Sequence, residues 1–247
     1  MSDADRLPSK MRSAMNGLAT ASEAVRNMSL VYNPDWITIY DQFLGDAIDP
    51  RYAAAKTNGT SAAVSVATSQ LVMTAGTDND GYAGQGYGLF WKADFGIYME
   101  SAQQYGAAIT TAKFEIGLTD ATDDAGAVNA KATPSATATD FCVIVFDTDD
   151  NTQLDIVSQK AAGVAANAEN IHSALTAATD FTTIFTAQND LVDVKIGSTV
   201  SNAKTAGSGV IEGGTLVTPW WFNQTRLVTN ANWTFKVGYC FVTGPAS

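Results

Sequence analysis

The first 35 residues carry apolar side chains at alternating intervals of four and three positions. These positions are Leu7, Met11, Ala14, Leu18, Ala21, Val25 and Met28. A heptad spacing of this kind is typical of an amphipathic helix, and Pro8 stands where a helix can begin. A lone helix with so thin an apolar stripe is marginal in water. We therefore predict that residues 1–35 form a helical or extended arm that packs either on its own domain or on a partner chain.

From Trp36 onward, the apolar positions alternate with polar ones. Short runs of this kind occupy residues 62–66, 70–74, 95–100, 112–118, 141–147, 154–157, 191–196 and 233–242. Turn residues (Asp, Asn, Gly, Thr) separate the runs, and no long helical period interrupts them. This pattern predicts an all-β domain over residues 36–247, built as an antiparallel jelly-roll β-sandwich.

Two stretches allow more specific expectations. Residues 161–178 are the one ambiguous stretch and fit a short helix or a loop. In the closing run, strict alternation predicts that five large side chains face one side of the sheet. These are Trp233, Phe235, Val237, Tyr239 and Phe241.

Composition narrows the classes of function. The formal net charge is −11, and 16% of residues are charged, against roughly 25% in soluble domains. The charges of residues 1–35 cancel, so the acidic excess belongs to the remainder of the chain. Nucleic-acid binding requires a basic stripe, so we expect neither a nucleic-acid partner nor an anionic membrane partner.

Membrane segments, secretory signals and cysteine usage indicate the cellular compartment. No apolar run approaches the roughly 18 residues of a membrane helix, and the N-terminus is not a secretory signal. Cys142 and Cys240 lie within apolar runs, which predicts two reduced thiols in the core. We expect a soluble protein made in a cytosol.

A series of short motifs resembles certain structural proteins of tailed bacteriophages. Residues 40–46 (YDQFLGD) and 49–52 (DPRY) are similar to their opening, and residues 114–121, 145–149 and 218–220 continue the likeness in the same order. Those proteins are concanavalin-like jelly rolls encoded among virion genes. The resemblance spans about residues 40–243 and implies a capsid decoration (cement) protein or a tail-associated module.

Glu115 and Asp120 are the nearest approach to a catalytic motif. Concanavalin-like glycoside hydrolases carry an E-x-D-x-x-E strand, but here Gly117 replaces the central Asp and Asp120 the last Glu. Positions five apart on a regular strand point to opposite faces, whereas a retaining mechanism needs two carboxyls about 5 Å apart. We expect no catalytic residues, with Glu115 exposed and Asp120 opening a turn.

No cofactor or metal site is expected either. His172 is the only histidine, and two distant cysteines do not complete a zinc site. Residues 147–151 (DTDDN) have the early spacing of a calcium loop but lack its later glycine and glutamate. The favoured interpretation is a solvated hairpin turn, with a structural calcium ion as the alternative.

Trp220 and Trp221 are adjacent on a predicted strand, so they point to opposite faces. Either both belong to the core, or one lies in the core while its neighbour meets solvent, a glycan or a partner protein. With the seam residues Leu7, Met11, Leu18, Val25 and Met28, they are the predicted interaction residues.

The sequence thus predicts a non-enzymatic virion protein on the surface of a phage head, assembled in the host cytoplasm. Its expected partners are the major capsid protein and copies of itself, as a homotrimer. A carbohydrate-binding module of a tail or spike is the main alternative, and a glycoside hydrolase is a more remote one.

Overall fold

The computed structural model describes residues 36–45, 47–92, 96–106, 109–121, 126–132, 135–161, 164–172, 176–188, 191–197, 211–212, 214–226 and 233–245. Within these ranges there are strands but no helix, and hence no helix that could cross a membrane. The predicted arm, with Leu7, Met11, Leu18, Val25 and Met28, lies outside the described residues.

The strands, in chain order, are β1 (Trp36–Asp41), β2 (Lys56–Asn58), β3 (Ala63–Ala67), β4 (Gln70–Thr74), β5 (Tyr82–Gly86), β6 (Trp91–Lys92), β7 (Ile97–Tyr105), β8 (Ala112–Thr119), β9 (Val128–Ala130), β10 (Ser135–Ala136), β11 (Phe141–Asp147), β12 (Asn151–Gln159), β13 (Val164–His172), β14 (Asp180–Gln188), β15 (Leu191–Ile196), β16 (Leu216–Thr225) and β17 (Thr234–Pro245).

Two large antiparallel sheets pack face to face. The seven-stranded sheet has the order β15-β14-β7-β17-β4-β3, and β1 also pairs with β17. The eight-stranded sheet has the order β13-β12-β11-β8-β16-β5-β2, and β6 also pairs with β16. Strands β9 and β10 form a small separate ladder. The predicted all-β sandwich is confirmed.

Aromatic rings from both sheets fill the space between them. Phe114 of the eight-stranded sheet stacks on Phe146 of the same sheet, at 5.1 Å between ring centroids. It also stacks at 5.3 Å on Phe235 of the other sheet. The thiols of Cys142 and Cys240 are free and buried in this core, as predicted.

The eight-stranded sheet is buried on its outer face as well. Every residue of β8 and β11 is buried, so neither strand alternates between buried and exposed positions. The covering chain is the β9–β10 segment, residues 126–132 and 135–138. It contributes to a second apolar cluster formed by Ala127, Val128, Ala138, Phe141, Val143, Val145 and Val157.

The hairpin between β3 and β4 is as short as the sequence predicts. Its two turn residues, Thr68 and Ser69, have φ angles of 52° and 57°. Positive φ at both central positions belongs to the type I′ turn, whose twist matches that of the strands it joins.

The interpretation of residues 161–178 as a helix or loop is wrong over β13. Residues 164–172 form an edge strand that pairs with β12. Alanine and asparagine are poor strand formers, so the sequence pattern is weak there. Pairing with a buried neighbour overrides intrinsic preference.

The expected face of the closing strand is also wrong beyond Val237. Val237 pairs with Gln103 and Tyr239 with Ala102, so Gly238 is an extra residue in β17. A bulge of this kind exchanges the two faces of the strand beyond it. Phe235 and Val237 therefore lie in the core, whereas Tyr239 and Phe241 lie on the outer face of the seven-stranded sheet.

Candidate functional site

Glu115 lies at the centre of the buried outer face of the eight-stranded sheet. Its side chain has no exposed surface, which contradicts the expected exposure. The ammonium of Lys113 lies 2.7 Å from Glu115 Oε1. The backbone N–H groups of Ala127 and Val128 donate to its two oxygens at 2.6 and 3.0 Å, and the indole of Trp220 donates to Oε2 at 3.2 Å. Both carboxylate oxygens thus accept hydrogen bonds from neighbouring groups in a site that is closed to solvent.

Lys113 is an equally buried partner. Its ammonium also donates to the carbonyl of Val128 and lies 4.9 Å from the centroid of the Phe222 ring. Burial lowers the pKa of Lys113, and the neighbouring Glu115 carboxylate opposes that shift. A buried ion pair with additional hydrogen bonds from the backbone is a structural arrangement that holds the covering segment on the sheet.

Asp120 does not join Glu115. It follows the last residue of β8, and its Oδ1 accepts the N–H of Thr139 at 3.1 Å. Five strand residues span about 16 Å, whereas a retaining glycosidase needs carboxyls about 5 Å apart. Partial burial raises the pKa of Asp120. Asp120 therefore has the predicted structural place at the strand end.

Trp220 and Trp221 point to opposite faces of β16, as predicted. Neither is exposed, so the expectation that one of them meets solvent or a partner is wrong. Trp221 lies in the main core at 6.2 Å from the ring of Tyr87. Trp220 stacks on Phe222, whose ring in turn stacks on Tyr82 at 5.5 Å. The sequence signal failed because it could not show that the outer face of this sheet is covered.

The acidic hairpin between β11 and β12 is the predicted turn, and a lysine ammonium occupies its centre. Lys131 donates to Asn151 Oδ1 at 2.7 Å and to the carbonyl of Gln153 at 2.9 Å. The carboxylates of Asp150 and Asp155 lie 3.3 and 3.7 Å from the same ammonium. Four oxygens of the kind that bind calcium thus surround a built-in cation.

The described residues contain no group of three or more histidine, cysteine or acidic side chains placed to hold a metal ion. The lysine site opens on a polar pocket of about 180 Å³, lined by Lys131, Ala132, Asp150, Asn151, Asp155 and Asn170. Next to it, Arg226 makes a two-pronged contact with Asp147, at 3.1 Å to Oδ1 and 2.8 Å to Oδ2.

The outer face of the seven-stranded sheet carries a cluster of aromatic residues around one carboxylate, which we call the tyrosine surface. It consists of Tyr40, Tyr98, Glu100, Tyr239 and Phe241. The hydroxyls of Tyr98 and Tyr239 donate to Glu100 at 2.7 and 2.5 Å. Tyr40 and Tyr98 lie 6.4 and 6.1 Å from Phe241 and leave that ring only 3% exposed.

The sequence does not predict the tyrosine surface, because it is the bulge at Gly238 that places Tyr239 and Phe241 on the outer face of the sheet. Tyr40 is 50% exposed, and its hydroxyl accepts a hydrogen bond from the amide of Gln42 at 2.6 Å. Leu44, four residues further on, is 75% exposed. A glycine inside a strand is the signal that could have revealed the bulge.

The residues of the phage-like opening have structural roles. Asp41 Oδ1 caps the N–H of Phe43 at 2.7 Å, and Phe43 is buried at a φ of 52°. Tyr52 stacks on Tyr87 at 4.0 Å, and their hydroxyls lie 2.6 Å apart. This part of the motif anchors the chain after β1, while Gln42 and Leu44 between the anchors remain exposed.

Comparisons with known proteins agree with the architecture. No protein-family model matches the chain, and no curated protein sequence matches it. The carbohydrate recognition domain of Emp47p is similar in structure, with a TM-score of 0.58 at 9% identity over 84% of this chain and 95% of that one. LamAcat from Zobellia galactanivorans has a TM-score of 0.58 at 9% identity over 83% of this chain and 96% of its own.

A β-1,3-glucanase from Mycobacterium marinum has a TM-score of 0.54 at 11% identity, over 83% of this chain and 97% of that one. At these identities, the likenesses establish the fold alone. The predicted concanavalin-like jelly roll is confirmed: the chain has the β-sandwich found in lectin-like domains and glycan-active enzymes.

Proposed function

We propose that this chain is a non-enzymatic bacteriophage virion protein that decorates the head shell by bridging subunits of the major capsid protein. The resemblance of residues 40–52 to phage structural proteins supports this assignment, as does the heptad seam of residues 1–35, which offers a second attachment element. Three copies joined through the arm at a three-fold position of the shell would multiply weak contacts through effective concentration.

The tyrosine surface is the observation that carries the proposal. Tyrosine is enriched at protein interfaces because it combines a large apolar ring with a hydrogen-bonding hydroxyl. Tyr40 and Leu44 add exposed apolar area beside the Glu100 cluster. On the opposite sheet, Glu115 is enclosed and fully hydrogen-bonded, which favours a supporting role for the only motif that suggested catalysis.

To test capsid binding, shells that lack the protein are mixed with the purified full chain. Occupancy is measured by cryo-electron microscopy of the mixture. Changing Leu18 and Val25 together to Asp, or Tyr40→Asp alone, is expected to lower occupancy at least about tenfold, since each places a charge in an apolar contact. The matched controls are Ser22→Asp beside the seam and Lys195→Asp, on the same sheet face but two strands away from Glu100. Failure of the unmodified chain to bind any shell contradicts the proposal.

Glycan binding is the second candidate function, and the same surface favours it. A carboxylate flanked by tyrosine hydroxyls offers acceptors and donors to sugar hydroxyls, and an exposed tyrosine ring can stack on a pyranose. A glycan array separates the two functions. Binding that Tyr40→Ala and Glu100→Gln abolish, but Lys195→Ala leaves unchanged, supports a tail or spike lectin, whereas an array without signal leaves capsid decoration as the assignment.

A further inference from the structure

Strand β3 is an unprotected edge of the seven-stranded sheet. It ends the strand order, and among the described residues no strand pairs with its far side. Edge strands of natural proteins are normally protected by charges, proline, bulges or a covering element. The β3–β4 register runs without a shift, and residues 57–77 contain no charged side chain and no proline.

Two other end strands carry charged side chains. At the opposite end of the same sheet, β15 carries Asp193 and Lys195 on its exposed face. In the eight-stranded sheet, the end strand β2 begins with Lys56. Strand β3 differs from β15 and β2 in carrying no charged side chain, although the formal charge of the chain is −11.

The sequence of β3 reads the same in both directions. Residues 63–67 are Ala-Val-Ser-Val-Ala, with Ser65 at the centre. In an antiparallel pair of two such strands about a two-fold axis at Ser65, each residue faces its own type: Ala63 opposite Ala67, Val64 opposite Val66, and Ser65 opposite Ser65 of the second copy. A two-fold contact of this kind is self-complementary, because both copies use the same surface.

The burial pattern of β3 fits this pairing. Val64 and Val66 are partly buried against the core, while Ala63, Ser65 and Ala67 are exposed. Side-by-side pairing keeps the two faces in register, so the valines of both copies meet on the core side. The small outer side chains allow close approach, and no like charges oppose each other.

We propose that β3 pairs antiparallel with β3 of a second copy, about a two-fold axis at Ser65, to form one continuous sheet across two molecules. The outer faces of both seven-stranded sheets then lie on one side, so that two tyrosine surfaces point the same way. A five-residue ladder is smaller than a standard interface. The association is therefore weak in solution and strengthened where many copies are held close together. In a shell of trimers, this contact links neighbouring trimers.

Cysteine crosslinking of the full chain tests the register directly. The native thiols Cys142 and Cys240 are both buried and do not compete. Under mild oxidation, Ser65→Cys is expected to form a disulfide-linked dimer at least about tenfold faster than Thr186→Cys, an exposed position on the same sheet face. Ala63→Cys alone is expected to react slowly, and a mixture of Ala63→Cys with Ala67→Cys rapidly. Equal rates for Ser65→Cys and Thr186→Cys overturn the proposal.

Sedimentation velocity of the full chain gives the independent readout. We expect the weight-average mass to rise with protein concentration, with a dissociation constant of about 1–100 µM for the β3 contact. Ser65→Lys places two ammonium groups opposite each other and is expected to weaken the association at least about fivefold. Thr186→Lys adds the same charge away from the edge and leaves the constant unchanged. A wild-type chain that shows no concentration dependence over this range, or equal constants for both variants, contradicts the two-fold edge.

Discussion

At the scale of single residues, the most informative feature is the Lys113–Glu115 pair, since neither side chain is exposed to solvent. Removing two charges from water is costly, and the pair is tolerated because every oxygen of Glu115 accepts a hydrogen bond. The backbone donors belong to the β9–β10 segment, so the carboxylate anchors that segment on the sheet.

Neutralising Glu115 alone leaves the Lys113 ammonium buried without a counter-charge. We expect Glu115→Gln to lower the free energy of unfolding by about 3 kcal/mol, measured by urea unfolding. The double variant Glu115→Gln, Lys113→Met is expected to lose less free energy of unfolding than the sum of the losses in the two single variants, because the pair acts as a unit. Asp193→Asn on an exposed strand is the control and stays within about 0.5 kcal/mol. A Glu115→Gln variant as stable as wild type disproves this role.

Gly117 explains why the hydrolase-like pattern is broken at its centre. A Cβ there would overlap the carbonyl oxygen of Cys142 and lie 2.7 Å from Val143 Cα on the neighbouring strand. We expect Gly117→Ala to destabilise the protein by about 3 kcal/mol, whereas Gly214→Ala, with open space around it, changes stability by less than about 0.5 kcal/mol. Thermal unfolding compares the two, and equal midpoints contradict the assigned close approach.

At the scale of elements, the sequence predicts strands where alternation is strong and fails where the environment decides. Strands β4 and β7 alternate clearly, and the Thr68–Ser69 turn is evident from the sequence. β13 is rich in alanine and becomes a strand because β12 offers an edge. The bulge at Gly238 exchanges faces in a strand that alternates without a break in sequence.

The β11–β12 hairpin holds the Lys131 ammonium where the spacing of its acidic residues suggested a calcium ion. Because the Lys131 ammonium lies among four oxygens, calcium or a chelator is expected to leave the unfolding midpoint of the wild type unchanged. Lys131→Met leaves the acids without their cation and is expected to cost about 3 kcal/mol. Lys195→Met on an exposed strand is the control. A wild-type midpoint that rises with calcium contradicts the role of Lys131.

At the scale of the whole molecule, the sequence could give the sandwich but not which sheet faces are free. A strand of apolar residues is compatible with a covered sheet face or with an interface. The adjacent Trp220 and Trp221 suggest an interface when only the sequence is considered. The β9–β10 segment covers that face, and the tyrosine surface, with the exposed Tyr40, lies on the opposite sheet. Long-range packing of this kind has no local sequence signal.

The buried tyrosines and thiols make the whole molecule sensitive to alkali. Burial raises the pKa of Tyr52, Tyr87, Tyr105 and Tyr239 above the ordinary value of 10.0. It also raises the pKa of both thiols, Cys142 and Cys240, above 9.0. The unfolded chain therefore releases these protons at pH 9–10 while the folded chain keeps them, and the stability they contribute is complete below pH 9 and falls as the pH rises further.

Each of these groups except the partly exposed Tyr239 removes about 1.4 kcal/mol per pH unit once it is ionised in the unfolded chain. The lowered pKa of Lys113 acts in the opposite direction, but one group is outweighed by five. We expect the urea midpoint to be constant from pH 7 to 8.5 and to fall steeply above pH 10. A midpoint that stays flat to pH 11 contradicts the burial of these hydroxyls and thiols.

The central claim, that this chain acts by binding within a virion, is tested most directly by locating it in an intact particle. Cryo-electron microscopy of particles from the phage proposed to encode it, with mass spectrometry of the purified particles, gives its position and copy number. The account predicts density for the β-sandwich on the outer surface of the head, in contact with the major capsid protein at every equivalent site. Particles that contain none of the chain, or that carry it only on the tail fibres bound to a glycan, would contradict the account.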